Sequence, residues 1–342
     1  MKDSQWIQRL YAAGLLRESI VAEGKKKELR MLIRERLDLI EMGSAYVNKM
    51  QKYMELMNLK LHNVISQIQG ASGLRVIRAI VEGERDPEKL LLLCHERIIE
   101  NKREEVLKSL QGNYRHEYLL LLKENLRLWE EHQTSIKNIE HATGDLLEEL
   151  NQGNKDVPVT GKSKPARHHN PEIEGLHKTM VQMFGGVNLT TICGINDSTM
   201  LRLLGEAGND MSRFPAKKHF VSWAGVSPKS KQSGKMKKRI KSKSSHAGLI
   251  FRQSAQSLMN SKNSAIGVFI RRLKAKKGAR VAIKAGARKI AEAFYNALTK
   301  GMDYVEQGAE LYMEQVRVNE IRLINKLAKK HGIAVSYAQS TA

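Results

Sequence analysis

The sequence predicts a mainly helical protein in which a long helical arm precedes a strongly basic domain. Only six prolines occur in 342 residues, and aromatic residues make up just 5% of the chain. Long stretches lack both proline and glycine, and apolar residues recur at helical spacing over two extended segments. These observations favour helices over a β-sandwich or a barrel, which need many short strands separated by turn residues.

Two heptad seams define the predicted arm. Residues 4–16 first form a short amphipathic helix, and a longer helix is then expected to end near Leu61. Packing within one chain and pairing between chains both fit this coiled-coil pattern. The first seam comprises Leu29, Ile33, Arg36, Ile40, Gly43, Val47, Met50, Met54 and Met57, and the second comprises Tyr118, Leu122, Asn125, Trp129, His132, Ile136, Ile139, Thr143, Leu146 and Leu150.

Residues that typically begin or interrupt helices divide the chain into five segments. Asp86, Pro87 and Glu88 predict a helix start inside the arm, with Asp86 as the N-cap. A last helix is expected from about Tyr304 to Lys330. The predicted organisation is an N-terminal segment (1–24), a helical coiled-coil arm (25–150), a linker (151–171), a basic domain (172–300) and a C-terminal helix with its tail (301–342).

The positive charge is confined to one region. Residues 1–150 carry 24 basic and 24 acidic side chains, whereas residues 211–291 carry 22 Lys and Arg and no Asp or Glu. That excess equals the formal net charge of the whole chain, +22. Nucleic acid is the expected partner, because each neutralised phosphate releases a counterion. A solubilising basic face is the alternative interpretation.

The composition also indicates a cellular setting. The two cysteines, Cys94 and Cys193, match no disulfide or zinc spacing, which fits a reducing compartment. No signal-peptide pattern opens the sequence, and no apolar run approaches the length of a membrane span. A cytoplasmic protein without a membrane partner is therefore expected.

The segment from Leu189 to Asn196 has the pattern of a helix-hairpin-helix. A tight turn is expected at Gly194, and a second helix from about Asp197 returns Met200, Leu203 and Leu204 to the core. Backbone N–H groups at such a turn bind a phosphate without reading bases. Asn196 takes the place of a second hairpin glycine, where it would tolerate a left-handed conformation. An ordinary helix–turn–helix corner is the alternative.

A basic loop with a candidate nucleophile follows a predicted helix over 217–224. Eight of the fifteen residues from 229 to 243 are basic, and Ser233 lies among them, next to Gly234. A serine hydroxyl reacts when it is activated or positioned, and cations beside it stabilise charge on a phosphate. Together with Gly194 and Asn196, the predicted nucleic-acid-binding residues are Lys229, Lys231, Lys235, Lys237, Lys238, Arg239, Lys241, Lys243 and Arg252.

A resemblance gives these residues a chemical context. The ordered motifs LTTICGI, FPAKKHFVSWAGVSP, QSGK, RIKSK, FRQSAQSLM and AIKAGARKIAEAFYNAL resemble the serine transposase domain of the insertion-sequence one-ten family. KDSQWIQRLYAAGLL resembles the end of that family's RuvC-like DEDD domain, which has an RNase H-like fold. LRMLIRERLDLI and IVEGERDPEKLLLL resemble its helical arm.

The resemblance implies a DNA transposase of a mobile insertion element, with Ser233 as the nucleophile that forms a covalent link to a DNA end. It also implies Asp3 as the last of four acidic magnesium ligands, a structured guide RNA, and assembly as dimers or tetramers. The other three acids are expected before Asp3, so the resemblance suggests an N-terminally truncated RuvC-like domain. A second departure is Lys243-Ser244-Ser245-His246, where the family has Lys-x-Gly-Asn.

Two further functions fit the same residues. A truncated remnant would bind nucleic acid without catalysis, since one carboxylate does not hold a catalytic magnesium ion. An architectural protein would dimerise through its arm and bind duplex DNA through its basic domain.

Overall fold

The computed structural model describes residues 3–16, 24–163, 169–228, 230–233, 236–239, 245–261 and 264–334. For residues 230–233, 236–239 and 306–309 it describes the backbone. The described chain is mainly helical, as the sequence predicts, and forms two compact units. Unit 1 comprises residues 1–30, 146–170 and 174–342, and unit 2 comprises residues 31–145 and 171–173.

The N-terminal half contains seven described helices, and six of them lie in the predicted arm. They are α1 (Asp3–Ala12), α2 (Gly24–Leu56), α3 (Leu61–Val64), α4 (Ala71–Glu82), α5 (Pro87–Leu92), α6 (Glu96–Ser109) and α7 (His116–Leu150). The start of α5 is as predicted: Asp86 is the N-cap, its side chain accepts a hydrogen bond from the Glu88 N–H, and Pro87 is the first helical residue.

The end of α2 differs from the sequence expectation. The helix ends at Leu56 rather than Leu61, because Asn58 adopts a left-handed conformation with φ of 61°. The Leu59 N–H then donates to the Met54 carbonyl at 2.8 Å, which closes the helix end in the manner of a Schellman motif. The first helix likewise ends at Ala12 instead of reaching residue 16.

Within unit 2, α2 and α7 run antiparallel along their predicted seams. The Tyr46 and His132 rings meet edge to face with centroids 5.0 Å apart, and the Gly43 position lies beside Gln133. Further along, Met50 and Met54 share a buried core with Leu122. The seam residues of one helix therefore pack on those of the other within a single chain.

Unit 1 contains the helices of the C-terminal half and one β-hairpin. Its elements are α8 (Leu176–Met183), α9 (Asp197–Ala207), α10 (Lys217–Trp223), β1 (Ser230–Ser233), β2 (Met236–Arg239), α11 (His246–Ser257), α12 (Ala265–Lys277), α13 (Ala279–Lys300) and α14 (Met302–His331). Short 3₁₀ turns lie at Gln152–Asn154, Leu189–Thr191 and Leu258–Asn260. The predicted last helix is thus confirmed; it ends at His331, and Gly332 is its left-handed cap.

An aromatic cluster forms the centre of unit 1. Phe220 of α10 is fully buried, and its ring packs on Phe251 of α11 and Phe294 of α13 at centroid distances of 6.0 and 5.7 Å. The Tyr295 hydroxyl donates to the Phe214 carbonyl at 2.8 Å, which ties the segment before α10 to α13. This cluster holds α10, α11 and α13 together.

Helices α12 and α13 approach each other closely at one glycine. A Cβ atom at Gly286 would lie 2.5 Å from Cδ1 of Ile270, which is far inside normal contact. Only glycine fits this crossing without displacing the Ile270 side chain. Within the described ranges, no helix combines the length and the apolar character that a bilayer crossing requires.

Candidate nucleic-acid interface

The turn before α9 has the predicted glycine, but a 3₁₀ turn stands where the first helix of the expected helix-hairpin-helix would lie. Gly194 has φ of 88°, and a Cβ atom there would lie 3.0 Å from the Ser254 carbonyl oxygen. Helix α9 then begins at Asp197 and returns Met200, Leu203 and Leu204 to the core. The segment preceding the turn is a single 3₁₀ turn, Leu189–Thr191.

Asn196 has a different role from the one expected of it. Its φ of −127° is extended rather than left-handed, so the prediction that it acts as a second hairpin glycine is wrong. It is the N-cap of α9, where its Oδ1 accepts hydrogen bonds from both the N–H and the hydroxyl of Thr199 at 2.8 Å. Asparagine is among the best N-cap residues for this reason.

A polar cluster that the sequence did not reveal lies beside this cap. The buried Asp197 carboxylate accepts hydrogen bonds from Ser163 and from Nδ1 of His177, the latter at 2.7 Å. The N-terminus of α9 therefore already holds an amide cap and a carboxylate, which favours helix formation. Positions 163, 177 and 197 are too far apart in the chain for spacing to have indicated the cluster.

The segment around Ser233 is a β-hairpin rather than a loop. Strands β1 and β2 pair antiparallel, with Lys231 opposite Lys238 and Ser233 opposite Met236. Two residues, Gly234 and Lys235, connect the strands and lie outside the described residues. Ser233 is the last residue of β1.

The other predicted residues have varied positions. Lys237, Lys238 and Arg239 belong to β2, and Arg252 is half-buried on α11. Lys229, Lys241 and Lys243, like Lys235, lie outside the described residues. The hairpin therefore brings Ser233 and several predicted cations onto one short ladder, with Gly194 and Asn196 elsewhere in the same unit.

A second basic surface lies at the tip of the α12–α13 pair. We call it the basic tip; its residues are Arg271, Arg272, Lys274, Lys276, Lys277 and Arg280. Lys274, Lys276 and Lys277 occupy the last turn of α12, where cations interact favourably with the helix dipole. All but Arg271 are exposed. The run RRLKAKKGAR carries this signal in the sequence, yet the predicted site residues do not include it.

Asp3 is an exposed residue at the start of α1. Among the described residues, no three His, Cys, Asp or Glu side chains are grouped so that they could hold a metal ion. The described residues thus do not fit the magnesium site that the resemblance implies, and no step below depends on a metal.

The acid-free basic stretch on a compact helical unit has the chemical character that a polyanion requires. Comparison with known proteins indicates which class of nucleic-acid-binding protein this is. Residues 187–269 match the model of the transposase IS116/IS110/IS902 family, and IS110 is the insertion-sequence one-ten of the resemblance. The match supports a transposase function for a mobile element, with DNA as the implied partner. No curated protein and no solved structure matches the chain.

Proposed function

We propose that this chain is a DNA transposase that cleaves and rejoins strands through the Ser233 hydroxyl. The observation that carries the proposal is the family match over residues 187–269, which includes Ser233 and most of the acid-free stretch. The match gives no support to the alternative of a truncated, inactive remnant.

The proposed reaction is a transesterification that conserves bond energy. The Ser233 oxygen attacks the scissile phosphorus, a new P–O bond to serine forms, and the bond to one sugar oxygen breaks. The serine proton passes to solvent, and the released sugar oxygen takes up a proton. A hydroxyl of another strand then attacks the phosphoserine and reverses the sequence. Fixed cations around the phosphate stabilise the added transition-state charge.

The position of Ser233 supports this role. It is the last residue of β1, directly before the two-residue connection of the hairpin. A strand end held by a ladder is a defined backbone position, and a small following residue allows close approach of a DNA backbone. Basic residues belong to both strands, with Lys231 in β1 and Lys237, Lys238 and Arg239 in β2.

The partners follow from the same chemistry. One serine holds one strand end, so moving an element with two ends requires at least two chains, which favours a dimer or a tetramer. The guide RNA that the resemblance implies is a second polyanion for the same basic unit. Residues 211–291 contain 22 basic residues and no acidic ones, a charge that is compatible with binding both DNA and RNA.

The test is covalent trapping on DNA that carries the ends of the surrounding element. The unchanged chain should form a protein–DNA adduct, and Ser233→Ala should abolish it while leaving affinity nearly unchanged, because only one oxygen is removed. Ser233→Cys should retain weak activity, since sulfur is itself a nucleophile. Ser230→Ala and Ser227→Ala are the matched controls and should react normally.

Three outcomes separate the alternatives. An adduct that persists in Ser233→Ala but disappears in Ser230→Ala would show that Ser230, and not Ser233, is the nucleophile. Tight binding of DNA by the unchanged chain with no adduct would favour a binding protein without catalysis. No binding at all would contradict the proposal as a whole.

A further inference from the structure

A cavity of about 420 Å³ lies within unit 1 between the start of α10 and helices α12, α13 and α14. Volumes of this order are typical of small-ligand sites. Its apolar wall includes Phe269, Tyr312 and Leu311, and the two rings stand 6.4 Å apart at 75°. The cavity lies outside the turn before α9 and the hairpin that contains Ser233.

Two lysines give the cavity a positive rim. Lys217 and Lys289 both line it, both are exposed, and Lys289 Nζ lies 6.0 Å from the centre of the Phe269 ring. Tyr304, another lining residue, has Lys300 Nζ 4.4 Å from its ring centre. An aromatic wall beneath lysine ammonium groups suits a ligand with a flat ring and an attached anionic group.

Two polar side chains inside the cavity supply hydrogen-bonding specificity. Glu292 lines the cavity, is 14% exposed and accepts a hydrogen bond from Arg288 Nε at 2.8 Å, which leaves its carboxylate with further acceptor capacity. Asn296 lies one turn further along α13, and its amide has no partner among the described residues. An asparagine amide offers a donor and an acceptor side by side, as adenine does.

We infer that this cavity takes one unpaired nucleobase that carries an exocyclic amino group, with its phosphate at Lys217 and Lys289. The base would lie against Phe269 and Tyr312, and its amino group would donate to Glu292. Thymine and uracil have no such amino group, and their one ring donor, N3–H, lies between two carbonyl oxygens that a carboxylate would repel. The inference rests on the proposed function to the extent that the base belongs to a bound nucleic acid.

The experiment compares two DNA duplexes that differ in one residue, using the full chain. One is fully paired, and the other carries a single unpaired adenine, replaced in a parallel sample by fluorescent 2-aminopurine. The unchanged chain should prefer the bulged duplex by roughly 5- to 150-fold, the range that stacking of one base on aromatic side chains gives. The 2-aminopurine signal should fall on binding as the base stacks.

Variants locate the effect. Tyr312→Leu and Asn296→Ala should each remove most of the preference for the bulge while leaving affinity for the paired duplex unchanged. Tyr11→Leu is the matched control, because Tyr11 is 75% exposed on α1 and does not line the cavity. An unpaired thymine should be bound less tightly than an unpaired adenine, and Glu292→Gln should reduce that difference.

The failure of this inference is distinguishable from failure of the proposed function. Equal binding of both duplexes by the unchanged chain overturns the cavity assignment and leaves the transposase proposal in place. A lack of DNA binding by the unchanged chain would contradict the proposed function, and with it the inference that rests on that function. If Tyr312→Leu instead converts an oligomer to a monomer in sedimentation and the bulge preference persists, a second copy occupies the cavity and the inference is wrong.

Discussion

Nε of Arg36 donates a hydrogen bond of 2.6 Å to Oε1 of Glu140, and both side chains are almost completely buried, at 7% and 5% exposure. The other Glu140 oxygen accepts from the backbone N–H of Glu172 at 3.0 Å. The pair joins α2 to α7 in an otherwise largely apolar seam. Because an uncompensated buried charge is costly, we expect this pair to favour the register that brings Arg36 and Glu140 together.

Breaking this pair should destabilise unit 2. Glu140→Gln removes the carboxylate charge beside the buried Arg36 guanidinium, at a cost of about 3–5 kcal/mol. The double variant Arg36→Met, Glu140→Leu should recover most of that loss, since apolar groups of similar volume are tolerated. Hydrogen exchange of α2 and α7 amides is the suitable measurement, because the two units need not unfold together. Equal protection in Glu140→Gln and the unchanged chain would contradict the role of the pair.

The seam should also be sensitive to a carboxylate at an apolar position. Ile136 is 7% exposed on α7, so Ile136→Asp buries an unpaired charge and should lower the free energy of unfolding of unit 2 by several kcal/mol. Ile40→Asp should cost less, because Ile40 is only half-buried. Sedimentation of both variants is the companion measurement. If they change the association state and leave stability intact, the seam pairs chains rather than helices of one chain.

Binding of DNA should be dominated by phosphates and therefore fall steeply with salt. For six to ten phosphate contacts, affinity should drop on the order of 10³- to 10⁵-fold between 50 and 200 mM salt. Lys276→Ala or Lys277→Ala in the basic tip should each lower the slope by about 1. Lys123→Ala, an exposed lysine of unit 2, is the control and should leave the slope unchanged. If the three variants have equal slopes of affinity against salt, the basic tip does not contact the DNA phosphates.

The two cysteines should react at very different rates with an alkylating reagent. Burial raises the pKa of the Cys94 thiol, which lowers its thiolate fraction, whereas Cys193 is exposed beside Gly194. Mass spectrometry after brief treatment with iodoacetamide at pH 8 should find label on Cys193 and little on Cys94 until the chain is unfolded. Rapid labelling of Cys94 in the native protein would contradict the burial of α5 and its neighbours.

The aromatic cluster of unit 1 offers a graded pair of changes. Phe220→Ala should cost about 3–5 kcal/mol, because the ring is fully buried and its neighbours cannot close the space. Tyr295→Phe keeps the ring and removes the hydrogen bond to the Phe214 carbonyl, for a loss of about 0.5–1.5 kcal/mol. Thermal unfolding monitored by tryptophan fluorescence measures both, with Trp6 and Trp129 replaced by Phe in every sample so that Trp223 alone reports. A larger loss of stability for Tyr295→Phe than for Phe220→Ala would show that the hydrogen bond contributes more to stability than the packing of the Phe220 ring.

Local rules predicted much of the helical structure. Asp86 and Pro87 gave the start of α5, and heptad spacing gave the buried faces of α2 and α7. Heptads alone do not distinguish two helices of one chain from two chains, and the Arg36–Glu140 pair, 104 residues apart in sequence, could not be inferred from spacing.

The site was less predictable than the helices. Strands β1 and β2 have few β-branched residues and no alternating apolar face, so the only local sign of the hairpin was Ser233-Gly234. Asn196 was expected to act through its backbone and acts through its side chain. The basic tip was visible in the sequence as a run of charge, but only the packing of α12 on α13 shows that this run forms a tip.

The contact of Gly286 with Ile270 sets how closely α12 and α13 approach each other. The basic tip lies where these two helices are joined, and Phe294 of α13 belongs to the aromatic cluster. A methyl group at position 286 would have to displace the Ile270 side chain. The spacing of the two helices that carry the basic tip therefore depends on a residue that has no charge of its own.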